Sequence, residues 1–241
     1  MKATDWEFAN RALIFGFIFA IAFPLYALDH QNSAAVLAKW LAAVLAVNAN
    51  HVARFIFAAA AVVLFVAALI RTWAAAYLHA GVVYAATVKT DSLVADGPYR
   101  RVRNPLYLAN ILMAAALGAM MSRAGYVVVL AGMGLFCYRL ILREEAELET
   151  SQGERYARYR RAVPRLWPSV WPRVPSAGGQ GDWAEGFKAE FYYWGFAAAL
   201  AGFAITLSVN IFFAMLSVSL AVLWMSSAAA KKRPKAKSSG H

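Results

Sequence analysis

The sequence predicts an all-α fold: a polytopic transmembrane helical bundle of about six spans. Of the 241 residues, 61% are hydrophobic and 15% charged, with a mean hydropathy of +0.51. A soluble domain of this size carries about 25% charged residues. The apolar residues gather in blocks close to the ~20 that a bilayer crossing needs. The positive charge, net +11, gathers between those blocks.

The blocks, in order, are 12–28, 53–70, 106–122, 125–142, 191–208 and 209–226. Residues 34–47 are apolar but short and read as an interfacial or re-entrant helix, with a further span as the alternative. Residues 73–88 contain Tyr77, His79 and Tyr84 and are expected at membrane depth, against other helices that satisfy their polar groups. Asp29-His30-Gln31-Asn32 follows the first block in place of a small-residue cleavage pattern, so that block is expected to be retained. Arg71, Lys89, Arg100, Arg101 and Arg103 form one basic segment, eight arginines in 139–173 form a second, and the tail from Lys231 to Lys237 a third. The positive-inside rule puts all three, and both termini, in the cytoplasm. The chain divides into a membrane core at 1–165, an interfacial linker at 166–190 rich in Pro, Gly and Trp, a helical hairpin at 191–227 and a basic, disordered tail at 228–241. Basic residues flanking apolar spans indicate lipid contact rather than nucleic acid. A lone cysteine, Cys137 in an apolar run, permits no intrachain disulfide and reads as a packing residue; no metal site is expected.

Two polar elements stand out. In DGPYRRVRNPLYLANI, Gly97-Pro98 forces a turn, and Asn104-Pro105 reads as an N-cap followed by proline at the first helical position. The second element, RLILREEAELETSQGERYARYRRAV, continues the fourth span out of the bilayer. Ser151 and Glu154 fit a capping box, so a short amphipathic helix is expected from about Gly153, with Tyr156, Tyr159 and Val163 as its apolar stripe. The third and fourth spans are joined by a short turn and must be antiparallel neighbours. Their polar ends therefore meet, bringing Arg103, Asn104 and Tyr107 near Arg143, Glu144 and Glu145. A mixed-charge pocket at a membrane surface is a functional site by default.

These residues carry a resemblance. LVADGPYRRVRNPLYLANIL followed by REEAELETSQGERYARYRRAVPRLWP resembles the isoprenylcysteine carboxyl methyltransferase and phospholipid N-methyltransferase superfamily, whose pattern is LV-x-x-G-x-Y-x-x-x-R-H-P-x-Y, a double Glu, then G-x-x-Y-x-x-Y. The likeness covers roughly residues 70–165. It implies a membrane methyltransferase using S-adenosyl-L-methionine, in a cytoplasmic pocket capped by the amphipathic helix. Carried over by position, Tyr84, Ser92, Leu93, Val94, Tyr99, Asn104, Pro105, Leu106 and Tyr107 would contact the cofactor. Arg103 with Glu144 or Glu145, and Arg143 beside them, would form the reacting end. The substrate would be a lipid-like or prenylated molecule reached from the bilayer. Asn104 stands where the family has His, which argues against a histidine base there. The hairpin has no counterpart in the family core. Two alternatives stay open: a sterol-type membrane reductase using NADPH, which would employ the arginines of 155–165, and a non-catalytic lipid-binding protein.

Overall fold

The computed structural model describes residues 1–78 and 95–232, with side chains to 225, and its regular structure there is helical. Tyr84, Ser92, Leu93 and Val94 lie outside the described residues.

The chain opens with α1 (Asp5–Ala9), started by a capping box in which Thr4 and Glu7 satisfy each other's backbone N–H groups. α2 (Arg11–Ala22) runs into a 3-10 turn, Phe23–Ala27, where Pro24 ends the regular ladder. α3 (Ser33–Leu45) is capped by the Asn32 side chain and closed by Ala46 in the left-handed conformation. α4 (Ala49–Leu78) is 30 residues long, about 45 Å at 1.5 Å per residue. α5 (Pro105–Gly118) and α6 (Arg123–Ala162) are joined by a tight turn and pack against each other. A short α7 (Trp183–Ala189) leads into α8 (Phe191–Thr206) and α9 (Val209–Lys232).

α4 and α6 are long and apolar enough to cross a membrane by themselves; α2 with its 3-10 turn, α3, α5, α8 and α9 as far as Met225 are shorter apolar helices. Large apolar side chains such as Phe17, Phe55, Phe65, Val127, Leu135 and Trp224 face outward. Apolar residues on both the core and the outer faces mark helices that sit in a lipid solvent. The protein is an integral membrane protein.

The sequence groups Arg71 with the basic residues of a cytoplasmic segment, yet α4 passes straight through it and the residue is 6% exposed. Its partners are Glu190 and Asn110, so the charge is compensated inside the bundle instead of in water.

Two apolar cores flank α5. One packs α4 against α5 and α8 around Leu64, Ala67, Ala109 and Leu200, and the other packs α2 and α5 against α6 around Val129, Cys137 and Leu140. Within the hairpin, a Cβ on Gly195 would collide with the Ser219 side chain and one on Gly202 with Met215. Glycines one heptad apart therefore let α8 and α9 approach closely, as small residues do between membrane helices.

α6 breaks where expected. Gly153 adopts φ 49°, ψ −128°, and a separate helical piece follows it. The Ser151 hydroxyl, however, donates back to the Leu148 carbonyl, so the glycine conformation sets the break there. The stripe Tyr156, Tyr159 and Val163 packs on Ala95, Leu148 and Val174.

Candidate active site

The turn before α5 is built by sequence. Gly97 takes φ 57°, and a Cβ there would meet the Tyr77 ring at 2.5 Å, so both backbone and space demand glycine. The 3-10 turn Gly97–Arg100 turns Tyr99 inward, where it is 7% exposed, and the Tyr159 hydroxyl donates to the Tyr99 carbonyl at 2.8 Å.

The linker closes over this turn as a strap. Ser169 N–H donates to the Arg101 carbonyl (2.9 Å) and Arg173 N–H to that of Arg100 (2.7 Å). Asp96 accepts from the Ser176 hydroxyl at 2.6 Å and from the Ala177 and Gly179 N–H groups at 3.0 and 2.9 Å. The Ser176 bond first, then the two backbone donors and the Arg100 charge, hold the Asp96 carboxyl below its ordinary value against the opposing effect of burial.

Pro105 occupies the first turn of α5 as expected. Asn104 holds the N-cap position but makes no side-chain cap. Its amide donates instead to Glu145 Oε1 at 3.2 Å and to the Arg165 carbonyl at 3.1 Å. Asn104 is thus a neutral donor tying α5 to α6.

The two glutamates separate. Glu145 is 5% exposed and sits between Arg103 Nη2 (3.1 Å) and Arg165 Nη2 (2.8 Å) as well as Asn104. Glu144 accepts from the Tyr107 hydroxyl at 2.7 Å and lines a large cavity. Arg143 lies outside that cavity, paired with Asp5 and Glu147 and stacked over Phe8.

The cavity measures about 1040 Å³. Tyr99, Arg103, Asn104, Pro105, Leu106 and Tyr107 of the sequence-derived set line it, with Tyr156 and Tyr159 from the helix after Gly153. Of the buried side-chain atoms without a hydrogen-bond partner among the described residues, which include Arg139 Nε and Arg143 Nε elsewhere, Tyr99 Oη and Arg103 Nε belong to residues that line this cavity. Such atoms are costly unless a ligand satisfies them.

Sequence reading missed part of this wall. Arg11 lies over the Phe8 ring and lines the cavity from the N-terminal side. Arg71 donates to Asn110 Oδ1 at 2.7 Å, which also accepts from the Tyr193 hydroxyl at 2.5 Å, and both partners line the cavity too. Two of these carried a signal: Asn110 lies three residues after Tyr107 on the same helix face, and Arg71 interrupts an apolar helix. Among the described residues no group of three His, Cys, Asp or Glu is disposed to hold a metal ion.

The chain is similar to the cobalt-zinc-cadmium resistance protein CzcN of Cupriavidus metallidurans, 31% identical over 113 residues covering 47% of each chain. It is also similar to the nickel-cobalt-cadmium resistance protein NccN of Alcaligenes xylosoxydans xylosoxydans, 29% identical over 100 residues, 42% of this chain and 44% of the relative. The chain thus spans about half the length of these relatives. No solved structure matches it significantly. Residues 54–155 match the phospholipid methyltransferase family model, the stretch that carries Arg71, Tyr99, Asn104, Tyr107 and both glutamates. Over this segment the chain is similar to the phospholipid methyltransferase family, which lies within the isoprenylcysteine carboxyl methyltransferase-like superfamily.

Proposed function

We propose that the protein is an S-adenosyl-L-methionine-dependent methyltransferase acting on a lipid-like or prenylated acceptor, with its polar end facing the cytoplasm. The observation that supports this best is the Tyr107–Glu144 pair beside the Tyr99 hydroxyl and Arg103 Nε, which have no partner among the described residues, at the polar end of a cavity in a membrane bundle. The residues present fit such a donor: hydroxyl and guanidinium donors for its polar groups, a carboxylate for its positive charge, and apolar walls. When bound, it would supply an electrophilic methyl carried on a sulfonium.

The chain's own residues would then orient and shield. Arg103, fixed by Glu145 and by the Arg160 carbonyl at 2.7 Å, offers its remaining donor to a carboxylate. Glu144, held by Tyr107, can offset positive charge or take a proton from a protonated acceptor. Tyr156 and Tyr159 cover the site from the helix after Gly153 and exclude water. The role of Glu145 is positioning: it locks Arg103, Asn104 and Arg165 together. The division into core, linker, hairpin and tail fits the same reading, with the strap holding the Tyr99 turn in place. The relatives' names speak of metal resistance; on this reading the chain would serve such resistance through a methylated membrane component.

The reductase alternative is less well supported. Arg155, Arg158, Arg160 and Arg161 are exposed and do not line the cavity. Thermal unfolding of the detergent-purified protein with S-adenosylhomocysteine, and separately with NADPH, tests the ranking, because a ligand stabilises the state it binds. Stabilisation by S-adenosylhomocysteine is expected; stabilisation by NADPH alone would reverse the reading.

A further inference from the structure

The cavity has a direction. From the Asn104 cap along α5, Asn104, Tyr107, Asn110, Met113 and Leu117 line it at spacings of three or four, with Pro105 and Leu106 beside them in the first turn. They form one helical stripe whose polarity falls along its length, over about 20 Å at 1.5 Å per residue. The polar end is the donor site proposed above. Asn110, held by Arg71 and Tyr193, forms a second polar layer about 9 Å further in. Beyond it the walls are apolar and are shared between the terminal hairpin, through Phe196, Phe212 and Leu216, and α2 with its 3-10 turn, through Phe15, Phe19 and Phe23. Those residues lie outside the family-matched segment 54–155. On the opposite wall, Gly16 of α2 faces the cavity, and a Cβ built there would meet nothing within 4 Å.

Volume limits what fits. A cavity of about 1040 Å³ holds on the order of 35 water-sized groups at ~30 Å³ each. Donor and acceptor share that space, so the room beside a bound donor suits part of a single apolar tail better than two. Polar groups at membrane depth are costly and need a use. The layer at Asn110 and Tyr193 lies where an acceptor's head would meet the donor end.

We propose that the terminal hairpin is the acceptor-reading half of the site: it receives one apolar chain of an amphiphile whose head rests at Asn110 and Tyr193, and Phe212 and Leu216 set the length of chain accepted. This rests on the methyltransferase reading for the donor end, but the chain site can be tested separately.

The test uses the full protein in lipid nanodiscs with a single-chain fatty alcohol carrying a photoactivatable group near its tail end. After irradiation, labelled residues are mapped by mass spectrometry, and S-adenosylhomocysteine affinity is measured by calorimetry on the same samples. Label is expected at the inward positions of 209–216, displaced by excess unlabelled fatty alcohol. Leu216→Trp and Gly16→Trp, which narrow the cavity from opposite walls, should each cut that label by about tenfold, the loss that ~1.4 kcal/mol represents, while leaving S-adenosylhomocysteine binding in place. Label spread over the outward faces without competition would overturn the proposal, as would label unchanged in both variants. Competed label without S-adenosylhomocysteine binding would sustain the chain site and defeat the methyltransferase reading. S-adenosylhomocysteine binding without competed label would do the reverse.

Discussion

Glu190, fully buried at the start of the terminal hairpin, forms an ion pair with Arg71, 119 positions earlier on α4. The Tyr193 ring lies 4.9 Å from the same guanidinium and the Tyr192 ring 6.0 Å. One charge pair therefore ties the family-matched segment to the hairpin beyond it. Two charges taken out of water are stable only together.

Glu190→Gln should accordingly destabilise the protein by about 3–5 kcal/mol, the cost of leaving a buried charge uncompensated. Replacing both partners, Arg71→Met with Glu190→Leu, should recover most of that. Thermal unfolding in nanodiscs measures it; a single variant as stable as the parent would show that the pair does not clamp the hairpin.

Tyr99→Phe separates a ligand-binding hydroxyl from a structural one. The hydroxyl has no partner among the described residues, so its removal should leave stability unchanged or raise it by about 1 kcal/mol. S-adenosylhomocysteine binding should weaken by about tenfold, or ~1.4 kcal/mol. Lower stability with unchanged binding would assign the hydroxyl to the fold.

The adjacent glutamates should diverge in stability and in methyl transfer. Glu145 holds Arg103, Asn104 and Arg165, so Glu145→Ala should cost about 3 kcal/mol of stability or more. Glu144→Gln keeps a hydrogen-bond acceptor for Tyr107 and should leave the unfolding temperature nearly in place while abolishing methyl transfer. Equal loss of stability in both would erase the distinction.

The strap carries a pH dependence. The folded Asp96 carboxyl is held below its ordinary value, so its contribution is complete above the unfolded pKa of about 3.9 and is lost as pH falls through the folded value. Its share of stability should be flat from roughly pH 8 to 5 and fall below about 4, with Asp96→Asn removing that component. Limited proteolysis of 166–182 across this range reads it; cleavage that is as fast at neutral pH as in acid would contradict the strap.

Much of the polar end was legible in the sequence because local rules govern it. A short turn after α5 forces it beside α6, so Asn104 and Tyr107 had to meet Glu144 and Glu145. Gly97-Pro98 and Gly153 break the chain where glycine conformations require. What was illegible depends on distant partners. Arg71 reads as a topology charge until Glu190 arrives from the far end of the chain. Asn104 reads as a helix cap until Glu145 and the Arg165 carbonyl claim its amide. The strap reads as an interfacial linker because nothing local shows that Asp96 will gather Ser176, Ala177 and Gly179.

The central claim is a methyl-donor site at the polar end of the cavity. Calorimetric titration of S-adenosylhomocysteine into the purified protein and its Tyr107→Ala variant tests it most directly. Saturable binding to the parent, weakened by about tenfold or more in the variant, or ~1.4 kcal/mol, is the predicted result. No binding to a folded parent, or equal binding to both proteins, would contradict it.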